Sequence, residues 1–422
     1  MSIAVATSPE TVAAIQRRSV RTLSAAAVAG GIAVAGTIPA GALIAASLAS
    51  DAVAGLAQTT GVIGAAALAL PLARIALSRG RRAALTLGYS LGAVGAVVVV
   101  VAGAMRSLPL VFVGCFLVGV ASAAGLQARY AATDLAPVSH RARALAIVVW
   151  AGTVGAVLGS NLLEVSGRAA VALGLPQLTG LYLTAALMLV IAVTVLQLAL
   201  RPDPYLLSRA LTQEATGVAP PRARLRDGIE HLRRHRRAVL GVCSVSLGHV
   251  VMVMVMVMTP VHMSDVDVSL QLIGLVISVH VLGMYALSPV VGWLVDRWGR
   301  IPMILVGAAI LLVSCIVCGL APSDNVPVLA TGLFLLGLGW SFTLIAGSTL
   351  VSDDVEENER PSVQGLSDLC MNVAAAGGGA VAGFIVAGAS YAVLCAVAAV
   401  PVLALVALTA SPSMRRSPLA AS

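Results

Sequence analysis

The chain has 422 residues, of which 59% are apolar and only 10% are charged, and its formal net charge is +8. A mean hydropathy of +0.99 is incompatible with the surface of a water-soluble globular protein. Composition therefore excludes a soluble fold and predicts a membrane protein. The positive charge is explained by membrane topology, so it does not call for a nucleic-acid partner.

Apolar segments long enough to cross a bilayer recur along the whole chain. A spanning helix needs about 20 mostly apolar residues, and these segments lack the alternation that is typical of barrel strands. We predict an all-α membrane protein with twelve transmembrane helices. The predicted spans are 23–49, 56–77, 83–105, 109–131, 144–166, 178–200, 239–261, 270–293, 302–321, 327–350, 363–387 and 390–410.

The distribution of arginines predicts the orientation of these helices. If the N-terminus is cytoplasmic, every arginine except Arg106 and Arg168 falls on the cytoplasmic side, and the chain contains no lysine. We therefore predict a multi-pass protein of the plasma (bacterial inner) membrane with both termini in the cytoplasm. Arg17 and Arg18 resemble a twin-arginine export signal, but the eleven later spans favour an anchor of the first helix.

Polar segments divide the chain into five parts. We predict a cytoplasmic tail at 1–22, a six-helix half at 23–200, a basic linker at 201–238, a second six-helix half at 239–410, and a tail at 411–422. The linker is expected to contain a short interfacial helix at 225–236.

An internal repeat supports the two halves. GRRAALTLG at 80–88 matches GRIPMILVG at 299–307 with an offset of 219 residues, and each follows the second helix of its half. LVGVA at 117–121 likewise matches LLGLG at 335–339. Two six-helix halves in the same orientation are typical of a transporter class whose substrate site lies between the halves.

The stretch GWLVDRWGR combines a glycine, an acid, basic residues and a Gly-Arg pair between the second and third helices of the second half. It resembles the loop signature of the major facilitator superfamily. The resemblance implies a pseudo-symmetric twelve-helix transporter that works by alternating access, with this cluster stabilising one conformation at the cytoplasmic side. The matching residues are Gly292, Asp296, Arg297, Gly299 and Arg300.

The first half departs from this signature. Leu77 stands where the acid is expected, so only Gly80, Arg81 and Arg82 remain of the motif. Cys115 occupies the position of the fourth-helix arginine of drug/proton antiporters, and Ser160 that of a proline in their fifth helix. These departures weaken the resemblance to antiporters without excluding it.

Ionisable residues inside spans are costly and usually face the bundle interior, so they are candidates for substrate contact or proton coupling. In this superfamily the seventh, eighth and eleventh helices line the central cavity, which favours residues on those helices. The alternative for each histidine is a hydrogen bond that only ties two helices together. The candidates are His249, His280, Asp368 and Asn372 in the second half, and Gln127, Arg129, Asn161 and Glu164 in the first.

The run HVVMVMVMVMTPVHM at 249–263 contains methionines and histidines that suit Cu(I). In a helix, however, Met252 and Met256 share one face while Met254 and Met258 share another. An adaptable apolar wall for substrates, or plain packing, is therefore favoured over a copper site. We predict no metal or cofactor, and the six cysteines lie within predicted helices, which argues against disulfides.

The connection SDDVEENERPS at 352–362 is strongly acidic. We expect Glu356 and Glu357 to face Arg79, Arg81 and Arg82 across the cytoplasmic entrance and to close it. Asp296 is expected to interact instead with the helix that starts near Arg141 and Arg143. The alternative is that both loops are merely solvated.

Together these features predict a secondary transporter that exports a small amphipathic or apolar molecule at the expense of a proton gradient. Uptake of a small metabolite is the alternative, and a transporter-like sensor is a third. No nucleotide loop or paired-carboxylate site indicates an enzyme. The expected partners are a small-molecule substrate, protons and membrane lipid, and the expected state is a monomer.

Overall fold

The computed structural model describes residues 8–48, 54–160, 162–216, 225–264, 270–355 and 359–410. Within these ranges the chain is helical and contains no β-strand. Twelve candidate spans are long and apolar enough to cross a membrane, which confirms the predicted fold class.

The helices of the first half and the linker are α1 to α9. Their bounds are α1 Pro9–Leu48, α2 Ala54–Arg79, α3 Arg81–Met105, α4 Leu108–Ala131, α5 Arg141–Ser160, α6 Leu163–Ala172, α7 Gly180–Ala199, α8 Pro204–Thr216 and α9 Leu225–Arg234.

The helices of the second half are α10 to α16. Their bounds are α10 Arg236–Ser264, α11 Leu270–Tyr285, α12 Ser288–Trp298, α13 Arg300–Leu320, α14 Val326–Asp353, α15 Arg360–Gly388 and α16 Tyr391–Ala410.

Two predicted spans are interrupted. The eighth is divided between α11 and α12, because Pro289 lies in the first turn of α12 and its ring would clash with the carbonyl of Tyr285 in a continuous helix. The fifth ends at Ser160, and the following residues form the separate helix α6, which contains Glu164.

The linker contains more structure than the sequence predicted. A helix is present at the expected position as α9, whereas α8 was not predicted. Tyr205 and Ser208 of α8 are buried, so this helix packs against the protein through one face.

The chain forms two compact units. Unit 1 comprises Met1–Pro137, Ile147–Ile229 and Glu356–Leu369, and unit 2 comprises Val138–Ala146, Glu230–Val355 and Cys370–Ser422. In unit 1, α4 packs against α1, α2 and α3. In unit 2, α14 packs against α10, α11 and α13.

Small residues allow the helices of each unit to approach closely. A side chain at Gly119 of α4 would collide with the backbone of Gly61 in α2, and one at Gly337 of α14 would collide with the backbone of His280 in α11. Close contact through small residues is the usual way in which helices associate in lipid, where the hydrophobic effect does not draw them together.

We predict that Gly119→Ala lowers the melting temperature of the purified protein. The added methyl group would have to force α2 and α4 apart, and such overpacking costs roughly 1–3 kcal/mol. Gly383→Ala is the matched control, because no heavy atom lies within 4 Å of the Cβ it would add. A melting temperature of Gly119→Ala equal to that of Gly383→Ala would show that this contact does not stabilise the fold.

Candidate functional site

A buried ion pair joins the start of α3 to the segment after α4. Gly80, whose φ of 86° suits a residue without a side chain, precedes Arg81 in the first turn of α3. The Arg81 guanidinium donates from Nε and Nη2 to the two carboxylate oxygens of Asp134, at 2.8 and 3.0 Å. Nη2 also donates to Oε1 of Gln364 in α15, at 2.6 Å. This guanidinium is therefore well coordinated, which buried charges require.

The same arrangement recurs in unit 2. Gly299, with a φ of 92°, precedes Arg300 at the start of α13, and Nε of Arg300 donates to Oδ2 of Asp353 at 2.7 Å. Arg300 and Asp353 lie 219 residues after Arg81 and Asp134, the offset of the sequence repeat. The pair is extended by Arg141, which donates from Nη1 to Oδ1 of Asp353 at 2.8 Å.

Asp296 caps the first turn of α5. Its carboxylate accepts hydrogen bonds from the backbone N–H groups of Ala142 at 3.2 Å and Arg143 at 2.9 Å, and Arg300 lies 3.4 Å away. A carboxylate is favourable at a helix N-terminus because the N–H groups there lack partners and carry partial positive charge. The contact expected from the sequence is present, while its gating role remains a prediction.

Gly292 brings α12 close to α5, since its Cβ would lie 2.6 Å from that of Ala146. Arg297 is exposed and stacks over Trp293, with 5.4 Å from the guanidinium carbon to the ring centroid. Arg297 therefore makes a cation–π contact, whereas Arg300 is the motif arginine that pairs with Asp296.

The linker supplies a further acid to the start of α3. The Asp203 carboxylate accepts hydrogen bonds from the N–H groups of Arg82 at 2.7 Å and Tyr205 at 3.1 Å. Ser208 of α8 donates to the backbone oxygen of Asp134 at 2.9 Å. The linker thus packs directly on the Arg81–Asp134 pair.

A second buried ion pair lies in unit 1 between α4 and α15. Nη2 of Arg129 donates to Oδ1 of Asp368 at 2.6 Å, and both side chains are almost completely buried. The same nitrogen lies 3.3 Å from the hydroxyl of Tyr130. In the described part of the chain, Nε and Nη1 of Arg129 have no hydrogen-bond partner. This arginine is therefore less fully coordinated than Arg81.

Both buried arginines of unit 1 contact one face of α15. Gln364 and Asp368 are separated by four residues, so they lie one above the other on that face. A Cβ at Gly365 would collide with that of Ala73 in α2. Asn372, one turn further along, is half-buried. The first three turns of α15 are thus held against α2, α3 and α4 by close packing and two arginines.

The two intramembrane histidine candidates lie in unit 2. Nδ1 of His249 accepts a hydrogen bond from the indole N–H of Trp340 at 2.8 Å. His280 is fully buried, and its Nδ1 lies 2.8 Å from the carbonyl oxygen of Leu333 in α14. Each ring therefore joins two helices, which fits the alternative that the sequence left open. Titration of either ring during transport remains a prediction.

The four methionines between residues 252 and 258 of α10 are buried or half-buried. Met252 and Met254 are buried, and Met256 is half-buried. Cγ of Met254 lies 3.2 Å from the position of a Cβ at Gly378 in α15, so this methionine packs against another helix. Among the described residues, no group of three or more histidine, cysteine, aspartate or glutamate side chains that could hold a metal ion is present.

The expected pairing of the second-to-third connection with the acidic loop needs correction at Arg81. This side chain is buried against Asp134, so it is not a solvated charge available to that loop. Arg79 is exposed and Arg82 is half-exposed. Three predicted residues, Asn161, Glu356 and Glu357, lie outside the described part of the chain.

Asp354, the residue after the end of α14, contacts the start of α10 and helix α9. Its carboxylate accepts a hydrogen bond from the N–H of Ala238 at 3.1 Å, and His231 of α9 contacts its backbone oxygen at 3.0 Å. Partial burial raises the pKa of the Asp354 carboxyl above its ordinary value, while the charge of Arg237 opposes that rise.

Comparisons with known proteins identify the family. The family model of the Major Facilitator Superfamily matches residues 22–265 and 241–421. The "Uncharacterized MFS-type transporter YdeG" of Bacillus subtilis is 38% identical over 91% of this chain and 89% of its own. The "Riboflavin transporter RfnT" of Brucella anthropi is 28% identical over 73% of this chain and 74% of its own.

The fold also resembles solved structures. The structure of the proton:xylose symporter XylE covers 93% of this chain and 94% of its own, with a TM-score of 0.71 and 14% sequence identity. At that identity the likeness shows the fold alone. The family match along nearly the whole length establishes that the chain belongs to the major facilitator superfamily and is a membrane transporter rather than an enzyme.

Proposed function

We propose that this transporter couples proton movement to the export of a small amphipathic or apolar molecule, working by alternating access at the plasma membrane. The observation that carries the proton coupling is the buried Arg129–Asp368 pair. Asp368 is the carboxylate on the face of α15 that the first half contacts. Its partner Arg129 has two further N–H groups, at Nε and Nη1, that do not bond to Asp368.

A proton would act on this pair through charge. An ionised carboxylate beside Arg129 is favoured by the attraction of opposite charges, whereas a protonated carboxyl loses most of that attraction. Protonation of Asp368 would therefore weaken one of the two arginine contacts that hold α15, leaving the hydrogen bond from the Arg81 guanidinium to the uncharged amide of Gln364. Release of α15 would follow more easily, which links proton binding to a conformational change.

The apolar or amphipathic nature of the substrate is supported by the methionines of α10. Unbranched, polarisable side chains adapt to ligands of varied shape. Met256 is half-buried and shares a helical face with the buried Met252.

Proton-coupled or facilitated uptake of a small metabolite is the second candidate. The similarity to the riboflavin transporter, which extends over 73% of this chain, supports a metabolite as the substrate. Flux of fluorescent probes, including riboflavin, in membrane vesicles of both orientations would distinguish uptake from export.

We predict that Asp368→Asn abolishes gradient-driven accumulation while downhill exchange continues. The amide is isosteric and uncharged, so it imitates a carboxyl that stays protonated. Transport in proteoliposomes with and without a pH gradient measures both activities. Uphill accumulation equal to that of the unmodified protein would contradict the assignment of Asp368.

Asp134→Asn is the matched control, since it removes a carboxylate from the other buried arginine of unit 1. Removing one partner of a buried ion pair costs about 3–5 kcal/mol, so this variant should show a lowered melting temperature. In whatever fraction remains folded, the ratio of uphill to downhill transport should be unchanged. A selective loss of uphill transport in this control would assign coupling to buried pairs in general rather than to Asp368.

We also predict that Leu77→Asp slows the release of α15. Leu77 lies 219 residues before Asp296, and residues 361 and 362 of α15 bear the same relation to Ala142 and Arg143. Pro361 has no N–H, so a carboxylate at Leu77 can reach only the N–H of Ser362 and the partial positive charge of this helix end, and such a contact contributes about 0.3–1 kcal/mol.

Distances between spin labels at Ser78 and Glu359 measure this effect. The short-distance population should increase in Leu77→Asp and not in Leu77→Met, a control whose side chain has no oxygen to accept from the helix N-terminus. Equal distributions in the two variants would show that the missing acid has no role in holding α15.

A further inference from the structure

A cavity of about 250 Å³ lies in unit 2 where the segment after α4 meets the end of α12. A water molecule occupies about 30 Å³ in the liquid, so the cavity has room for a polar group several times that size. Its walls carry polar and aromatic side chains. They are Ser139, His140, Arg143, Trp293, Asp296 and Arg297.

The cavity carries excess positive charge. Both oxygens of Asp296 are engaged by the first turn of α5, and one of them also faces Arg300. The guanidinium groups of Arg143 and Arg297 form no ion pair with any described carboxylate. His140, which is hydrogen-bonded to Ser139 at 2.9 Å, adds a further polar ring.

The side of α12 that bears the cavity is apolar and exposed. Val290, Trp293 and Arg297 follow one another at helical spacing, and the exposed fractions of Val290 and Trp293 are 51% and 46%. Exposed apolar side chains on a spanning helix contact acyl chains, and tryptophan is enriched where those chains meet the headgroups. Trp298, the last residue of α12, is 58% exposed. An apolar stripe thus leads up to the cavity, and a stripe that ends in exposed tryptophans is typical of the level of the lipid headgroups.

We propose that this cavity binds the phosphate headgroup of an anionic phospholipid. Arg143 and Arg297 hold the phosphate, Trp293 packs against the glycerol and upper acyl carbons, and His140 with Ser139 donates hydrogen bonds at the polar edge. Arginine suits this role because its planar group of N–H donors matches phosphate oxygens.

Binding there has a structural consequence. Arg143 belongs to the first turn of α5 and Arg297 to the last turn of α12, the two turns that Asp296 connects. A headgroup held by both arginines adds a second connection at the same place. Anionic lipid therefore stabilises the contact of α5 with α12, independently of the proposed direction of transport or of Asp368.

Native mass spectrometry of the delipidated full-length protein tests the proposal, with added phosphatidylglycerol, phosphatidylcholine or inorganic phosphate as probes. The variant Arg143→Gln/Arg297→Gln keeps the backbone N–H groups that bind Asp296. Its retention of phosphatidylglycerol should fall roughly twentyfold, because each arginine near anionic lipid contributes about a factor of five. Arg143→Lys/Arg297→Lys should retain an intermediate amount, which separates loss of charge from loss of fold.

Arg233→Gln/Arg234→Gln is the matched control, since it removes two arginines from α9, where Arg234 already pairs with Glu230. It should bind phosphatidylglycerol as the unmodified protein does. Equal losses in this control and in the cavity variant would overturn the site, as would equal retention of phosphatidylcholine. Displacement of phosphatidylglycerol by millimolar inorganic phosphate would identify a site for free phosphate and overturn the assignment to lipid.

Discussion

The cost of burying an arginine governs the structure around the helix ends. A guanidinium cannot lose its proton in a protein, so a buried arginine must be neutralised by a carboxylate and by further acceptors. Arg81 meets this condition with Asp134 and Gln364, and the half-buried Arg300 pairs in the same way with Asp353. These requirements fix where α3 and α13 begin, where the segments after α4 and α14 run, and how α15 enters unit 1.

The two buried pairs of unit 1 differ in how fully they are coordinated. Arg81 and Asp134 use two hydrogen bonds between charged groups, and α8 covers them. Arg129 and Asp368 share a single short hydrogen bond. A fully satisfied network rigidifies its surroundings, whereas a partly satisfied one changes partners at lower cost. The first pair therefore suits a structural role, and the second suits a group that exchanges a proton and moves.

Much of the fold was predictable because membrane spans are encoded by length and apolarity. The exceptions have local causes, such as Pro289, whose ring divides the eighth span. The contact of Asp296 with α5 was also predictable from the motif. The partners of the buried arginines were not, because Asp134 and Asp368 are far in sequence from Arg81 and Arg129. The sequence repeat contained part of the answer, because the residue 219 positions after Asp134 is Asp353, so the two acids occupy equivalent positions in the two halves.

Helix α8 limits how the protein can be modified for experiments. Large connecting loops are the usual places to insert a fusion partner, because surface loops tolerate added length. Here the first part of the linker is not such a loop: Asp203 binds the backbone of α3 and Ser208 binds the segment after α4. An insertion between these two residues would separate Asp203, which binds the first turn of α3, from Ser208, which binds the backbone of Asp134 in the Arg81–Asp134 ion pair. A fusion intended to enlarge the particle for electron microscopy therefore belongs after Thr216, not at the apparent start of the linker.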